Sequence, residues 1–327
     1  MPHTLLIDRS VRSRFEISGA HAIATLNGLV TNDVAALKPG SGQYAAALTA
    51  KGKVVSDVVI LMIDDKLQLH ASQEAGAGLH AMLLKFINPR FATLRDVSAT
   101  TFEQTLVGSD AADMIERASA GSITAATLSV LPAYSHIRAS IGGNPVDVVH
   151  LPAIGAANEP VFSVIGACDA ADVIRNALLA AGAHDADAAA IETLRVESGY
   201  PAWGIDMDDT TLSQEANLDD MHAVSYTKGC YIGQETVARI HFRGHVNRSL
   251  RRLSFTGDEL PPHGAVLQDS EHRAIGDVRS TARSVQSGMI GIGMVRREID
   301  DGVIVDVHWD GGGATAVVVG KAKGAID

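Results

Sequence analysis

Cys230 is one of only two cysteines in a chain of 327 residues, and it stands in the run Lys228-Gly229-Cys230-Tyr231-Ile232-Gly233-Gln234-Glu235. Thiolate, not thiol, is the form that attacks electrophiles and binds metals. Lys228, two positions away, would favour the anion electrostatically. The spacing predicts a helix over Tyr231 to Ile240, which would put Cys230 at or just before its N-terminus. Free backbone N–H groups there also lower a thiol pKa. Gly229 and Gly233 would let the backbone bend and come close to a ligand. An isolated cysteine is more often a small buried hydrophobe. A lysine, two glycines, a glutamine and a glutamate are unusual company for a core position. The other cysteine, Cys168 in FSVIGACDAADV, sits at a predicted strand end and is read as an ordinary buried residue.

A basic strip follows the motif: Arg239, Arg243, Arg248, Arg251 and Arg252, with His241 and His245. Arginine meets phosphate or carboxylate oxygens in bidentate geometry, so the strip reads either as an oxyanion patch or as solvated strand faces. The formal net charge of −11 argues against direct nucleic-acid binding, which needs a broadly basic surface. Two distant cysteines build neither a disulfide framework nor a four-ligand metal site. An iron–sulfur cluster would have to be shared with a partner or a second chain. No apolar run approaches membrane-spanning length, and MPHTLLIDRSVRSRF lacks the apolar core of a secretory signal, so cytoplasm is the default expectation.

The elements that must hold these residues read as α+β followed by all-β. RFEIS is a predicted strand, and GAHAIATLNGLVTNDV a helix capped by Ser18. YAAALTAKGKVVSDVVILMIDDKLQLHAS reads as successive strands, AGLHAMLLKFI as an amphipathic helix stopped at Asn88-Pro89, and FATLRDVS as a strand. A second unit begins near TTFEQTLVGSDAADMIERA. In PVFSVIGACDAADVIRNALLAAGAH a strand leads through an Asp cap into a helix. AAAIETLRVESG is another helix, ended by Gly199 and Pro201. From residue 246 short strands alternate with Gly, Asp and Pro turns, the pattern of a small antiparallel barrel. The expected organisation is two interlocked α+β units over 1–245, divided near 100–110, and a β-barrel over 246–327.

KGCYIGQE with the following ARIHFRGHVNRSLRRL resembles the signature of the YgfZ family, whose mitochondrial relatives act in iron–sulfur cluster assembly. LRVESGYPAWGIDMDDTTLSQEANLDD is similar to that family's Arg-x-Glu-x-Gly segment. SGAHAIATLNGLVTNDVAALKPGSGQYAAALTAKGKVVSDVVI is similar to the start shared with the glycine-cleavage T-protein, an aminomethyltransferase. The resemblance implies a folate-binding region around a central cavity and a C-terminal barrel. It implies tetrahydrofolate or a derivative as ligand, with Glu197 holding the pterin's paired N–H groups. It also implies Asp57 as a pocket acid, Tyr200 and Trp203 as stacking surfaces, and Arg239 or Arg243 as partners of the folate glutamate tail. Ser56 stands where the T-protein motif carries the first of two acids, which counts against aminomethyl transfer.

The reading that follows is a folate-binding accessory factor for assembly or repair of 4Fe–4S proteins, with Cys230 as a redox thiol or transient shared-cluster ligand. Iron–sulfur assembly or client proteins would be its partners, and any effect on tRNA modification would be indirect. Two alternatives stand beside it: a folate-dependent aminomethyl or one-carbon transferase, and a protein that binds tRNA through the arginine strip.

Overall fold

Strand Val54–Ile63 shows how one face of the molecule was chosen for the core and the other for chemistry. Side chains alternate across a strand. Val58, Ile60 and Met62 enter a hydrophobic core with Leu26, Leu79 and Leu83. Asp57, Val59 and Leu61 point from the opposite face. The computed structural model describes residues 4–322. Within it this strand is second in a five-stranded antiparallel sheet ordered Gly42–Leu48, Val54–Ile63, Lys66–Ala71, Ser13–Ser18, Thr93–Asp96.

Helix Gln73–Phe86 covers the core face. Ser72 caps it by accepting from the Ala75 amide, and it buries Leu79, Met82 and Leu83. The helix expected over GAHAIATLNGLVTNDV is only Ala22–Asn27. Ser18 ends a strand rather than capping it, and His21 precedes the helix without a side-chain cap. Beyond Gly28 the chain is committed elsewhere: Thr31 bonds to the Ala223 carbonyl and the Ala46 amide. These long-range bonds override the helical pattern of Leu29 and Val30.

The second sheet has six strands, ordered His184–Asp185, Leu5–Asp8, Thr101–Val107, Glu159–Ala167, Asn144–Ile154, His136–Ile141. All pairings are antiparallel except that between the first two. The chain therefore starts in this sheet, builds the other, and returns. Arg14, 1% exposed, ties the two crossings together: it donates to the carbonyls of Ser10, Ser98 and Thr101 and to the Thr101 hydroxyl. Helix Ala171–Ala180 follows a short 3-10 turn, Cys168–Ala170, and has Ala170 at its cap position, so the expected aspartate cap is not formed.

The sheets meet through Leu61, Ile63, Val149 and Ile165. Helix Ala188–Ser198, capped by Asp187 and closed by Gly199 at φ 74°, packs Ile191 and Leu194 against Ile7, Val107 and Val161 of the second sheet. The C-terminal strands close into a six-stranded barrel, ordered Arg248–Thr256, Gly288–Arg296, Ala274–Ser284, Val266–Gln268, Ile304–Trp309, Gly312–Lys321. Leu253, Phe255, Leu267, Val278, Val307 and Val318 fill it. The fold is thus α+β units around a cavity with an all-β barrel. Among the described residues no helix is long and apolar enough to cross a membrane.

Candidate functional site

A cavity of about 340 Å³ opens where the faces of the two sheets meet, a size within the range of small-molecule pockets. Asp57, Val59, Leu61 and His70 reach it from the first sheet, and Glu103, Ser163 and Leu151 from the second. Arg195 of helix Ala188–Ser198 and Tyr200, Trp203 and Met221 after it complete the wall. Strand parity puts Asp57 in the cavity and Ser56 on the other face, fully buried. Its Oγ bonds to the Asp57 carbonyl at 2.6 Å. An acid at position 56 would not reach this cavity, so the serine there does not count against acid chemistry inside it.

Asp57 accepts a 2.9 Å hydrogen bond from the Tyr44 hydroxyl on Oδ2, while its buried Oδ1 has no partner among the described residues. Burial pushes the Asp57 carboxyl above its ordinary 3.8, and the Tyr44 bond and the Arg12 charge only partly offset that. Burial likewise pushes the Tyr44 phenol well up, with Asp57 adding to it. Tyr44 lies near-parallel to Tyr134, ring centres 6.3 Å apart and planes within 7°. Tyr134 holds a left-handed backbone, φ 65°, unusual for a side chain of this bulk. Tyr200, raised to about 12 by burial, and Trp203 face the same space, and the Trp203 Nε1 is buried without a partner.

The other end of the cavity is charged. Burial pushes the Glu103 carboxyl up, yet Arg12, the His70 contact and Arg9 outweigh it and hold it well below the usual range. Its Oε2 lies 3.6 Å from Arg12 Nε and 3.5 Å from His70 Nδ1. Burial lowers the His70 pKa, so the ring is neutral at neutral pH. Arg195 touches the cavity but is engaged: it donates to Asp206 and to Ser280 of the barrel, both at 2.6 Å, and pairs with Glu192. It joins the cavity helix to the barrel.

The motif loop is held differently from the expectation. Lys228 Nζ donates to three backbone carbonyls, Asn27 at 2.5 Å, Val30 at 2.8 Å and Asn32 at 2.7 Å. Those bonds use every N–H of the ammonium, so Lys228 braces a turn rather than activating a thiol. Burial brings its pKa down to about 8, which leaves it protonated at neutral pH. Helix Gln234–Arg243 starts after Gly233, later than the expected Tyr231, so Cys230 lies three residues ahead of the Gly233 cap. Cys230 is exposed and does not line the cavity. Cys168 is exposed as well, against the expectation of burial, because the chain leaves the sheet there for a surface 3-10 turn.

Among the other motif residues, Tyr231 is buried in the core between the first sheet and the barrel. Gly233 is required: its φ is 88°, and a Cβ would come 2.7 Å from the Thr49 carbonyl. Gly229 faces open space and meets no close approach. Gln234 opens the helix, and Glu235 lies exposed in its first turn.

Of the residues expected to bind ligand, Asp57, Tyr200 and Trp203 come together in the cavity. Glu197 does not. Its Oε2 accepts from the Ala156 amide at 3.0 Å, since Arg195 and Ile191 take the cavity-facing side of the helix. Arg239 and Arg243 lie exposed on helix Gln234–Arg243, away from the cavity. Arg9, Arg12, Tyr44, His70, Glu103 and Tyr134 were not singled out in the sequence. Only the period-two pattern could have flagged Tyr44, which crosses a strand pair to Asp57; the rest converge through tertiary contacts.

The GCVT N-terminal domain family matches residues 2–228, a span that stops just before Cys230. An aminomethyltransferase of Chlorobium chlorochromatii is 30% identical over 281 residues, covering 84% of this chain and 74% of that protein. Another, from Thermosynechococcus vestitus, is 25% identical over 291 residues, covering 89% and 76%. The crystal structure of glycine cleavage system aminomethyltransferase T from Bartonella henselae shares the fold, with a TM-score of 0.83 at 20% identity over 97% of this chain and 85% of that one.

Asp57 generates a stability prediction whose sign is fixed by its raised pKa. The folded state binds this proton more tightly than the unfolded chain, so the charged carboxylate opposes folding at neutral pH. That penalty is relieved as pH falls through the raised value and is gone below 3.8. Asp57→Asn should therefore melt at a higher temperature than wild type at pH 7, with the difference vanishing in acid. Thermal melts across pH check this; a lower melting temperature at pH 7 contradicts it.

Proposed function

The chain belongs to the GCVT N-terminal domain family, and from that premise we propose that it binds tetrahydrofolate or a derivative between its two sheets for one-carbon chemistry of the aminomethyl-transfer kind. One observation carries this reading: a cavity walled by Tyr44, Tyr134, Tyr200 and Trp203 that contains a buried acceptor, Asp57 Oδ1, and a buried donor, Trp203 Nε1, both without partners among the described residues. Buried polar atoms are rarely left unpaired, and each such atom here is a place for a ligand's hydrogen bond. A pterin is flat, aromatic and edged with N–H groups, and so fits these walls and this acceptor. The curated relatives named aminomethyltransferase support the reaction class.

Tetrahydrofolate supplies the amine nitrogens that take up a one-carbon unit. The chain's part is to hold and orient it. The aromatic side chains fix the ring plane. Tyr44 keeps the Asp57 carboxylate turned so that Oδ1 faces the ligand. Because burial raises the Asp57 pKa, Oδ1 is also suited to take a proton from a nitrogen placed against it. Leu61, Val149 and Ile165 give that part of the cavity an apolar wall.

A second reading is favoured by one observation of its own. Cys230, in the YgfZ-like run KGCYIGQE, is exposed on a loop braced by Lys228. A thiol so placed is open to a second protein, as an accessory factor in assembly or repair of 4Fe–4S proteins requires. The cavity would then bind folate without the thiol taking part in binding.

Calorimetric titration with tetrahydrofolate tests the first reading. Asp57→Asn should weaken binding roughly 10- to 100-fold, the range for losing a hydrogen bond to a charged group, while Glu197→Ala should bind within a few-fold of wild type. Unchanged affinity in Asp57→Asn defeats the assignment. For the second reading, Cys230→Ser should bind tetrahydrofolate normally yet lower the activity of a 4Fe–4S enzyme in cells carrying it. Full enzyme activity in those cells excludes a role for the thiol.

A further inference from the structure

We propose that Arg9, together with Asp57, makes the cavity selective for a neutral ring edge that presents an N–H beside a carbonyl, and against the analogue in which an amino group replaces that carbonyl. The proposal rests on the folate reading above and assigns a specificity-determining residue to the same site.

Arg9 follows strand Leu5–Asp8, and its backbone amide is fixed by a 2.9 Å bond to the Glu103 carbonyl. Its guanidinium lines the cavity. No hydrogen bond or ion pair joins that guanidinium to any described residue. Burial lowers its pKa to about 10, with the neighbouring Arg12 charge acting in the same direction. Asp57 is its counterpart: a buried carboxylate with one oxygen on Tyr44 and the other bare. The two side chains form no ion pair, although each charge acts on the other's ionisation. A donor and an acceptor thus face one cavity with a gap between them.

The charges of the cavity already cancel. Among the residues that line it, Arg9, Arg12 and Arg195 are matched in number by Asp57, Glu74 and Glu103, and His70 is neutral. An anionic or cationic ligand group here would leave one buried charge in excess, which is costly. A neutral edge with adjacent donor and acceptor satisfies both side chains. The tetrahydropterin ring has such an edge, a ring N–H next to a ring carbonyl. In the diamino analogue the carbonyl becomes an amino group and the adjacent ring nitrogen loses its hydrogen, so the acceptor offered to Arg9 and the donor offered to Asp57 both go. The new amino N–H bonds would point at guanidinium N–H bonds, or the ring would turn and cover the half-buried Arg9 without pairing it. Either outcome carries the full penalty of an unsatisfied buried group.

The test is calorimetric titration under anaerobic conditions with a methyl-tetrahydropterin and with its diamino analogue, neither bearing the glutamate tail. Wild type should prefer the carbonyl-bearing ring by at least about tenfold, the usual scale for an unpaired buried group. Arg9→Lys, which keeps a charged donor, should retain the preference. Arg9→Gln, whose amide can donate or accept, should lose most of it, leaving only the part set by Asp57. Equal binding of the two rings by wild type, or an intact preference in Arg9→Gln, overturns the proposal. If Arg9→Gln does not fold, the wild-type preference and Arg9→Lys decide it alone. Failure of wild type to bind either ring overturns the folate reading along with it, whereas binding without preference removes only the role of Arg9.

Discussion

The structure turns on a carboxylate kept out of water with half its hydrogen-bonding capacity unused. Asp57 Oδ1 is buried and bare while Tyr44 holds Oδ2. Such an arrangement costs stability, and it persists because the surroundings leave the side chain no alternative. Its strand is paired on both edges, by Gly42–Leu48 and Lys66–Ala71. Its neighbours Val58 and Ile60 are locked in the core behind it. The opposing sheet closes over the space in front. Preorganising a buried polar group makes it act more strongly on a bound ligand than it would in water.

The motif around Cys230 contributes to that rigidity by an unexpected route. Lys228 gathers the carbonyls of Asn27, Val30 and Asn32. Asn32 in turn donates to the Tyr44 and His222 carbonyls. The residue that orients Asp57 is therefore fastened, through one turn, to the loop that presents the thiol. Arg195 makes the corresponding link from the cavity helix to the barrel through Ser280. Lys228, which sequence position would place in chemistry, serves as a brace, while Cys230 stays exposed on the loop it holds.

The sequence was informative wherever local pattern and tertiary demand agreed. Strand Val54–Ile63, helix Gln73–Phe86, the glycine stop at Gly199 and the barrel strands all follow from period and turn chemistry. It misled where distant contacts outweighed local preference. The helix after Gly19 is cut short because Thr31 bonds across to Ala223 and Ala46. Glu197 was read from its motif, yet the two-residue offset, about half a helical turn, gives the cavity to Arg195 instead. Asp57 was legible as a pocket acid; that Ser56 points the other way is plain from the period of two. Arg9, Glu103 and Tyr134 were not legible, because no local pattern reports that two sheets will press together around them.

The central claim, that the cavity at Asp57 rather than the thiol loop is the ligand site, is tested most directly by a crystal structure of the protein soaked with tetrahydrofolate. The account predicts the pterin ring between the two sheets, against Tyr44 and Trp203, with a ring or amino N–H within hydrogen-bonding distance of Asp57 Oδ1. Density for the ring on the outer surface beside Cys230, with the cavity holding only water, would contradict it.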